Sequence, residues 1–196
     1  MNPKSFKQRV CETIISCATD YKLTFLNYEY LIYSDKFTIK PYYIISAKEG
    51  NYKHLTGVSS EKSAYSFFEM CLNGTLTEDD FSFSCKGIVR SKVIALPLMS
   101  GLFLQKLTAK EDFVQGKISC SLATSDNKIT IGFEDRINAK PKTLLRGNEI
   151  KNANPVDVSL ILRRSMGFEK FDTLIQGDLK HLNADLSDLI TDSMGV

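Results

Sequence analysis

The chain has 196 residues, 43% of them hydrophobic and 24% charged. That is enough apolar material for one sizeable core and excludes a disordered tail or a disulfide mini-scaffold. Twenty-five Lys and Arg against 23 Asp and Glu leave a formal charge of +2, far from the strongly basic balance of many nucleic-acid binders, while five cysteines without a CxxC spacing and two histidines support no disulfide framework and no zinc site, so neither metal nor cofactor is expected.

In chain order, Asn2-Pro3 supplies a helix cap and a first-turn proline. Phe6, Val10, Ile14 and Cys17 then fall on one helical face, which predicts a helix over about residues 3–19. Lys4, Lys7, Arg9 and Glu12 interrupt that stretch, so it has no apolar signal-peptide core. Tyr28, Tyr30 and Ile32 alternate with other residues, as do Phe37 and Ile39, with Ser34-Asp35-Lys36 between them, and predict a hairpin. Tyr42-Tyr43-Ile44-Ile45 reads as a short buried strand, ended by Lys48-Glu49-Gly50-Asn51. Alternating tyrosines of this kind more often pack a sheet than stack bases.

Ala64, Phe67, Phe68, Cys71 and Leu72 have helical spacing, and Asn73-Gly74 stops them. Residues 91–107 are apolar almost all round and predict a buried helix kinked near Pro97, with Lys92 at its entrance. The uninterrupted apolar run is well short of the ~20 residues a membrane span needs, and a soluble, cytoplasmic protein is expected. Ile118, Cys120 and Leu122, a turn at Thr124-Ser125-Asp126-Asn127, and Ile129, Ile131 and Phe133 predict a second hairpin. Val156, Val158, Leu160 and Leu162 predict a strand ending at Arg163-Arg164. Behind Asp178, Leu179, Leu182, Leu186, Leu189 and Ile190 have helical spacing. They predict an acidic C-terminal helical segment over 171–196, packed on its own domain and the place where an oligomer would form. The expected fold is a single α+β domain over 1–196, with N-terminal and central helices on an antiparallel sheet and an extra C-terminal helix.

Charge is unevenly spread along this order. Residues 1–60 sum to +3, 61–85 to −4, 86–170 to +7 and 171–196 to −4. The small net charge therefore conceals a basic central block, consistent with ordinary charge mixing or with a polyanion-facing surface under an acidic cover.

Two features of Tyr52-Lys53-His54-Leu55-Thr56-Gly57-Val58 carry chemistry: an imidazole and a hydroxyl lie within three residues, next to a glycine. Read alone, the pattern also suits a polar residue fixing a turn. Together with Ala64, Phe67, Phe68, Leu72 and Asn73-Gly74-Thr75-Leu76, the run resembles the phage-type branch of the barnase, EndoU, colicin and RelE-like nucleases. The resemblance continues through Lys92, Ile131-Gly132-Phe133 and Pro141-Lys142-Thr143-Leu144-Leu145 and covers roughly residues 40–165. Residues 1–20 and 171–196 fall outside it.

The resemblance implies a BECR-like ribonuclease core, encoded on phages and other mobile elements and working in a bacterial host cell, with metal-independent cleavage of RNA. Such cleavage uses the neighbouring 2′-hydroxyl as nucleophile and needs a base, a donor for the leaving oxygen and positive charge on the phosphate. His54 would transfer the proton, histidine being the side chain that titrates nearest neutrality. Thr56 and Thr143 would bond the phosphate or orient the imidazole, and Lys92 would complete the catalytic set. Lys53, Lys142, Arg146, Arg163 and Arg164 would line the RNA path. Spacing names no second proton-transfer residue; Glu49 and Glu134 are the candidates. The expected partner is RNA, a guide RNA or a tRNA among the candidates, with no membrane. The alternative is a non-catalytic phage or plasmid anti-CRISPR inhibitor that binds a CRISPR effector nuclease or its guide RNA.

Overall fold

The computed structural model describes residues 3–135, 137–181 and 184–194. Helix α1 (Phe6–Tyr21) begins three residues later than Asn2-Pro3 suggests, because Ser5 is its cap. The Gln8 amide donates to Ser5 Oγ at 3.0 Å and the Ser5 amide donates to Gln8 Oε1 at 2.8 Å, a reciprocal capping box. Val10, Ile14, Cys17, Ala18 and Tyr21 form its buried face.

Strands β1 (Tyr28–Tyr33) and β2 (Tyr42–Ile45) pair antiparallel, Tyr30 opposite Ile45. The strand expected over Phe37 and Ile39 does not form. The backbone amides of Thr38, Ile39 and Lys40 instead donate to the Glu111 carboxylate at 2.7, 3.2 and 3.2 Å, so no ladder donor is left there. Tyr28, Tyr30 and Tyr43 stay in the sheet: Tyr30 stacks on Phe103 with ring centres 4.1 Å apart, and Tyr43 donates to Glu111 at 2.9 Å.

Helices α2 (Glu49–Thr56) and α3 (Ala64–Leu72) follow, the latter capped by Ser63 and ended at Asn73 as the sequence predicts. The long apolar helix lies earlier than 91–107: α4 (Lys86–Ala95) runs on into a tighter 3-10 stretch, Leu96–Leu104, with Pro97 at its start. A proline lacks the donor that would continue the α-helical ladder. Among the described residues, Lys86–Leu104 is the one helical stretch long and apolar enough to cross a membrane. Val89, Ala95, Leu96, Met99, Leu102 and Phe103 of this stretch enter the core.

Strands β3 (Thr108–Gln115), β4 (Ile118–Ser125), β5 (Ile129–Asp135) and β6 (Ala139–Arg146) form an antiparallel meander. With β7 (Val156–Asp157), β8 (Leu160–Ser165) and β9 (Thr173–Gly177) they give a sheet ordered β7-β3-β4-β5-β6-β2-β1-β8-β9. The sheet is mixed rather than antiparallel throughout, since Ile45 of β2 pairs parallel with Ala139 of β6. The single strand expected over 156–162 is split because the chain changes partner. Val156 pairs with Ala109 of β3, whereas Leu160 pairs with Tyr33 of β1. One short segment thus bridges the two ends of the sheet and curls it around the helices. The main core runs from α1, α2, α3 and α4 to the facing side chains Ile32, Ile45, Leu122, Ile131, Phe133 and Leu144.

The expected C-terminal helix is replaced by β9, single 3-10 turns at Leu179–His181 and Asp192–Met194, and the four-residue helix α5 (Ala184–Ser187). The reason lies at Phe171. Its amide donates to the Leu189 carbonyl at 2.7 Å and its carbonyl accepts from Thr191 at 3.0 Å, which folds the segment back on itself. Leu186 and Ile190 are buried as their apolar spacing suggests, against Phe171, Leu31 and Leu160. Leu182 of that pattern lies outside the described residues.

Candidate active site

Helix α2 presents His54, and three features fix its pose. On the inner face Tyr52 and Leu55 are buried, and the Tyr52 hydroxyl donates to the Ile14 carbonyl of α1 at 2.6 Å. At the N-terminal end the Tyr21 hydroxyl donates to the Lys48 carbonyl at 2.9 Å. At the C-terminal end Gly57 takes the left-handed conformation with φ 76°, the usual helix-ending role of glycine. With these residues turned inward, Asn51 and His54, three apart and hence neighbours on the helix surface, face β5 and β6.

A pocket of about 540 Å³ opens there, lined by Asn51, His54, Glu134, Lys140, Pro141 and Lys142. Glu134 and Lys140 are direct cross-strand partners. The register between β5 and β6 shifts at Gly132/Phe133, where Gly132 pairs with Thr143 and Phe133 with Pro141. Lys142 is the residue left over in this bulge. A bulge of this kind re-aims a side chain out of the ladder. The Lys142 ammonium lies 3.8 Å from Glu134 Oε2, and both side chains are about four-tenths exposed, so the pair is loose and open to a ligand.

Lys92 approaches from α4. Its ammonium donates to the His54 carbonyl at 2.9 Å, and burial pushes its amine down to about 8. A cation at a helix C-terminus is favourably placed against the exposed carbonyl ends. Lys92 therefore touches the backbone that carries the imidazole, not the pocket lining. A methyl group at Gly57 would stand 2.6 Å from Lys92 Cδ, so the glycine both ends α2 and admits the lysine.

The other residues that the sequence singles out are spread out once placed in the fold. Thr56 is fully buried, and its hydroxyl donates to the Lys53 carbonyl at 2.7 Å, which closes the last turn of α2. The Lys53 ammonium donates to the Ser60 and Lys62 carbonyls at 2.6 and 2.7 Å and so braces the following loop. Thr143 is buried opposite Gly132. Arg146 is exposed at the far end of β6, four residues or about 13 Å from Lys142 along the strand. Arg163 and Arg164 lie on β8, separated from β6 by β2 and β1. Arg163 covers the Tyr28 ring at 4.3 Å, and Arg164 pairs with Glu29 at 2.7 Å while covering Phe171. Glu49 is in the first turn of α2 and does not line the pocket, whereas Glu134 does.

Lys140 and Asn51 are the pocket residues that periodicity does not single out. The Asn51 signal is its Oδ1, which accepts from the Lys48 amide at 2.8 Å in the helix-start pattern of a polar residue at the third position. Among the described residues no group of three or more His, Cys, Asp or Glu side chains is placed to hold a metal ion.

No curated protein and no solved structure matches the chain significantly. A family profile described as phage-Barnase-EndoU-ColicinE5/D-RelE like nuclease4 matches residues 13–166. The match begins inside α1 and takes in β1, so it reaches further toward the N-terminus than residues 40–165, and it contains every residue of the His54 pocket. The chain belongs to the phage-Barnase-EndoU-ColicinE5/D-RelE like nuclease family.

Proposed function

We propose that the protein is an endoribonuclease that cleaves RNA at the His54 pocket without a metal ion. The observation that carries this reading is the convergence of an imidazole, a carboxylate and two ammonium groups, His54, Glu134, Lys140 and Lys142, on one open pocket. These are the groups that transphosphorylation needs: two that move protons and two that hold a phosphate.

In the proposed reaction the 2′-oxygen attacks the adjacent phosphorus, and the bond from phosphorus to the 5′-oxygen breaks. The proton of the 2′-hydroxyl passes to a base, and the leaving 5′-oxygen takes one from an acid, giving a 2′,3′-cyclic phosphate and a 5′-hydroxyl. His54 and Glu134 fill these two roles. Lys140 and Lys142 neutralise the non-bridging oxygens, and Lys142 exchanges its loose contact with Glu134 for the phosphate. Asn51 bonds a ribose or base edge. Lys92 holds the end of α2 in place from behind.

The test is cleavage of single-stranded RNA in excess chelator, beside the same strand with 2′-deoxyribose at the cleaved position. The proposal expects cyclic-phosphate ends from the first and none from the second. Equal cleavage of both, or cleavage that stops with chelator, contradicts it.

A further inference from the structure

A second cavity, of about 430 Å³, lies at the other end of α4, lined by Ser5, Phe6, Lys7, Ser82, Phe83 and Lys86. Its chemistry differs from that of the His54 pocket. The Phe6 and Phe83 rings sit 5.3 Å apart, the Arg90 guanidinium lies 5.6 Å from the Phe6 ring centre, and the Lys7 ammonium lies 5.4 Å from that of Phe81. Among the described residues Lys7, Lys86 and Arg90 make no ion pair. Glu78 stands at the edge of this cavity, where Ser5 Oγ donates to it at 3.4 Å, while Asp80 accepts from Thr77 at 2.7 Å and pairs with Lys62 at 3.4 Å.

Helix α4 runs from the aromatic cavity to the backbone behind the His54 pocket. Lys92, near its C-terminal end, reaches the His54 carbonyl. Lys86, at its start, lines the aromatic cavity, and Arg90 lies between them in sequence and is exposed. Lys86 and Lys92 are six residues, or about 9 Å, apart along the helix axis, so a flexible single strand reaching a few nucleotides beyond the His54 pocket comes level with Lys86. Unpaired cations beside phenyl rings suit a single strand, whose phosphates take the charge and whose bases have flat faces for the rings.

We infer that single-stranded RNA leaving the His54 pocket runs along α4 and that a flanking nucleotide is received at the Phe6–Phe83 cavity, its phosphate on Lys7, Lys86 and Arg90. This rests on the endoribonuclease reading for the identity of the strand. It adds a binding region outside the reacting phosphate and explains why the cations on α4 are left without carboxylate partners.

The experiment measures binding of a labelled single-stranded oligoribonucleotide across a salt series, in the full chain carrying His54→Ala so that the RNA stays intact. Adding Lys86→Gln and Arg90→Gln is expected to weaken binding about tenfold at low salt. It should also flatten the slope of log affinity against log salt by about 0.7, the value for one phosphate contact on a single strand. Adding Lys117→Gln and Lys151→Gln, which removes the same charge at exposed sites elsewhere, should change neither. An unchanged affinity and slope for the α4 pair, or an equal loss for the remote pair, overturns the inference. Cleavage of the same RNA by the wild-type chain is scored separately. Cleavage without any effect of the α4 pair overturns the α4 path alone, and a clear α4 effect without cleavage leaves the path standing and overturns the catalytic reading.

Discussion

The ammonium of Lys92 lies 2.9 Å from the backbone carbonyl of His54, so α4 grips the end of the helix that carries the imidazole. One contact joins three sequence features that are far apart in the chain: a glycine that ends α2, a lysine in an apolar helix and the histidine itself. It also sets the character of the lysine. Burial holds its amine near 8, so at pH 7 it is still mostly charged and it loses the charge on mild alkalinisation.

Titration of the lysine side chains followed by NMR is therefore expected to show a transition near pH 8 that vanishes in Lys92→Met. The cause is loss of hydration around the ammonium, which favours the neutral form. A wild-type spectrum in which the signal lost in Lys92→Met titrates only above pH 10 would contradict the burial described here.

Gly57→Ala tests the same contact from the other side. An alanine must adopt φ 76° and place its methyl 2.6 Å from Lys92 Cδ. The left-handed conformation alone costs about 1–2 kcal/mol, and displacement of Lys92 adds to it. Urea unfolding should show the loss, and a variant as stable as wild type would mean that Gly57 is not strained in this way.

Glu111 makes the clearest pH-dependent contribution to stability. Burial by itself would raise its carboxyl, but donation from the Thr38, Lys40 and Ile39 amides and the Tyr43 hydroxyl outweighs that and holds it below the usual range. A carboxyl lowered in the folded chain stabilises fully above its unfolded value of ~4.3 and loses that contribution as pH falls through its folded value. Glu111→Gln, which turns donors toward an amide that also donates, should cost about 2 kcal/mol near neutrality. The gap to wild type should close in acid, and a gap that stays constant from pH 7 into acid would show that the carboxylate charge is irrelevant.

The parts of the fold that could be read from sequence are those with a local cause. The four-residue spacing of Phe6, Val10 and Ile14 marks α1, the Phe67–Leu72 pattern marks α3, and alternation at Ile118–Leu122 and Ile129–Phe133 marks β4 and β5. The failures have non-local causes. Phe37 and Ile39 alternate like a strand, but their loop is wrapped around a carboxylate some seventy residues away in sequence. The C-terminal leucines are spaced like a helix, yet Phe171 captures the backbone at Leu189 and Thr191. Strand β6 is hidden by Lys140, Pro141 and Lys142, which periodicity discounts and which the bulge turns into pocket lining. In the site, His54 and Lys142 were legible as residue types. Which lysines and arginines converge on them depends on register, which the one-dimensional pattern does not carry.

The bulge itself yields a further prediction. A methyl at Gly132 would overlap Cys120 Sγ and come within 2.9 Å of Thr143 Cγ2, so Gly132→Ala should destabilise by about 1–3 kcal/mol through overpacking. Adding Cys120→Ala removes the obstructing sulfur and should recover part of the loss. Thermal unfolding of the two single variants and the double variant gives the coupling, and strictly additive effects would contradict the contact.

In the proposed reaction the imidazole of His54 moves a proton during RNA cleavage. The most direct measurement is the single-turnover cleavage rate of one single-stranded RNA in excess chelator, wild type beside His54→Ala, with folding of both checked by their unfolding curves. Cyclic-phosphate products are expected from the wild type, and a rate lower by about 10²–10⁴-fold in the variant. Equal rates from two folded proteins would contradict it.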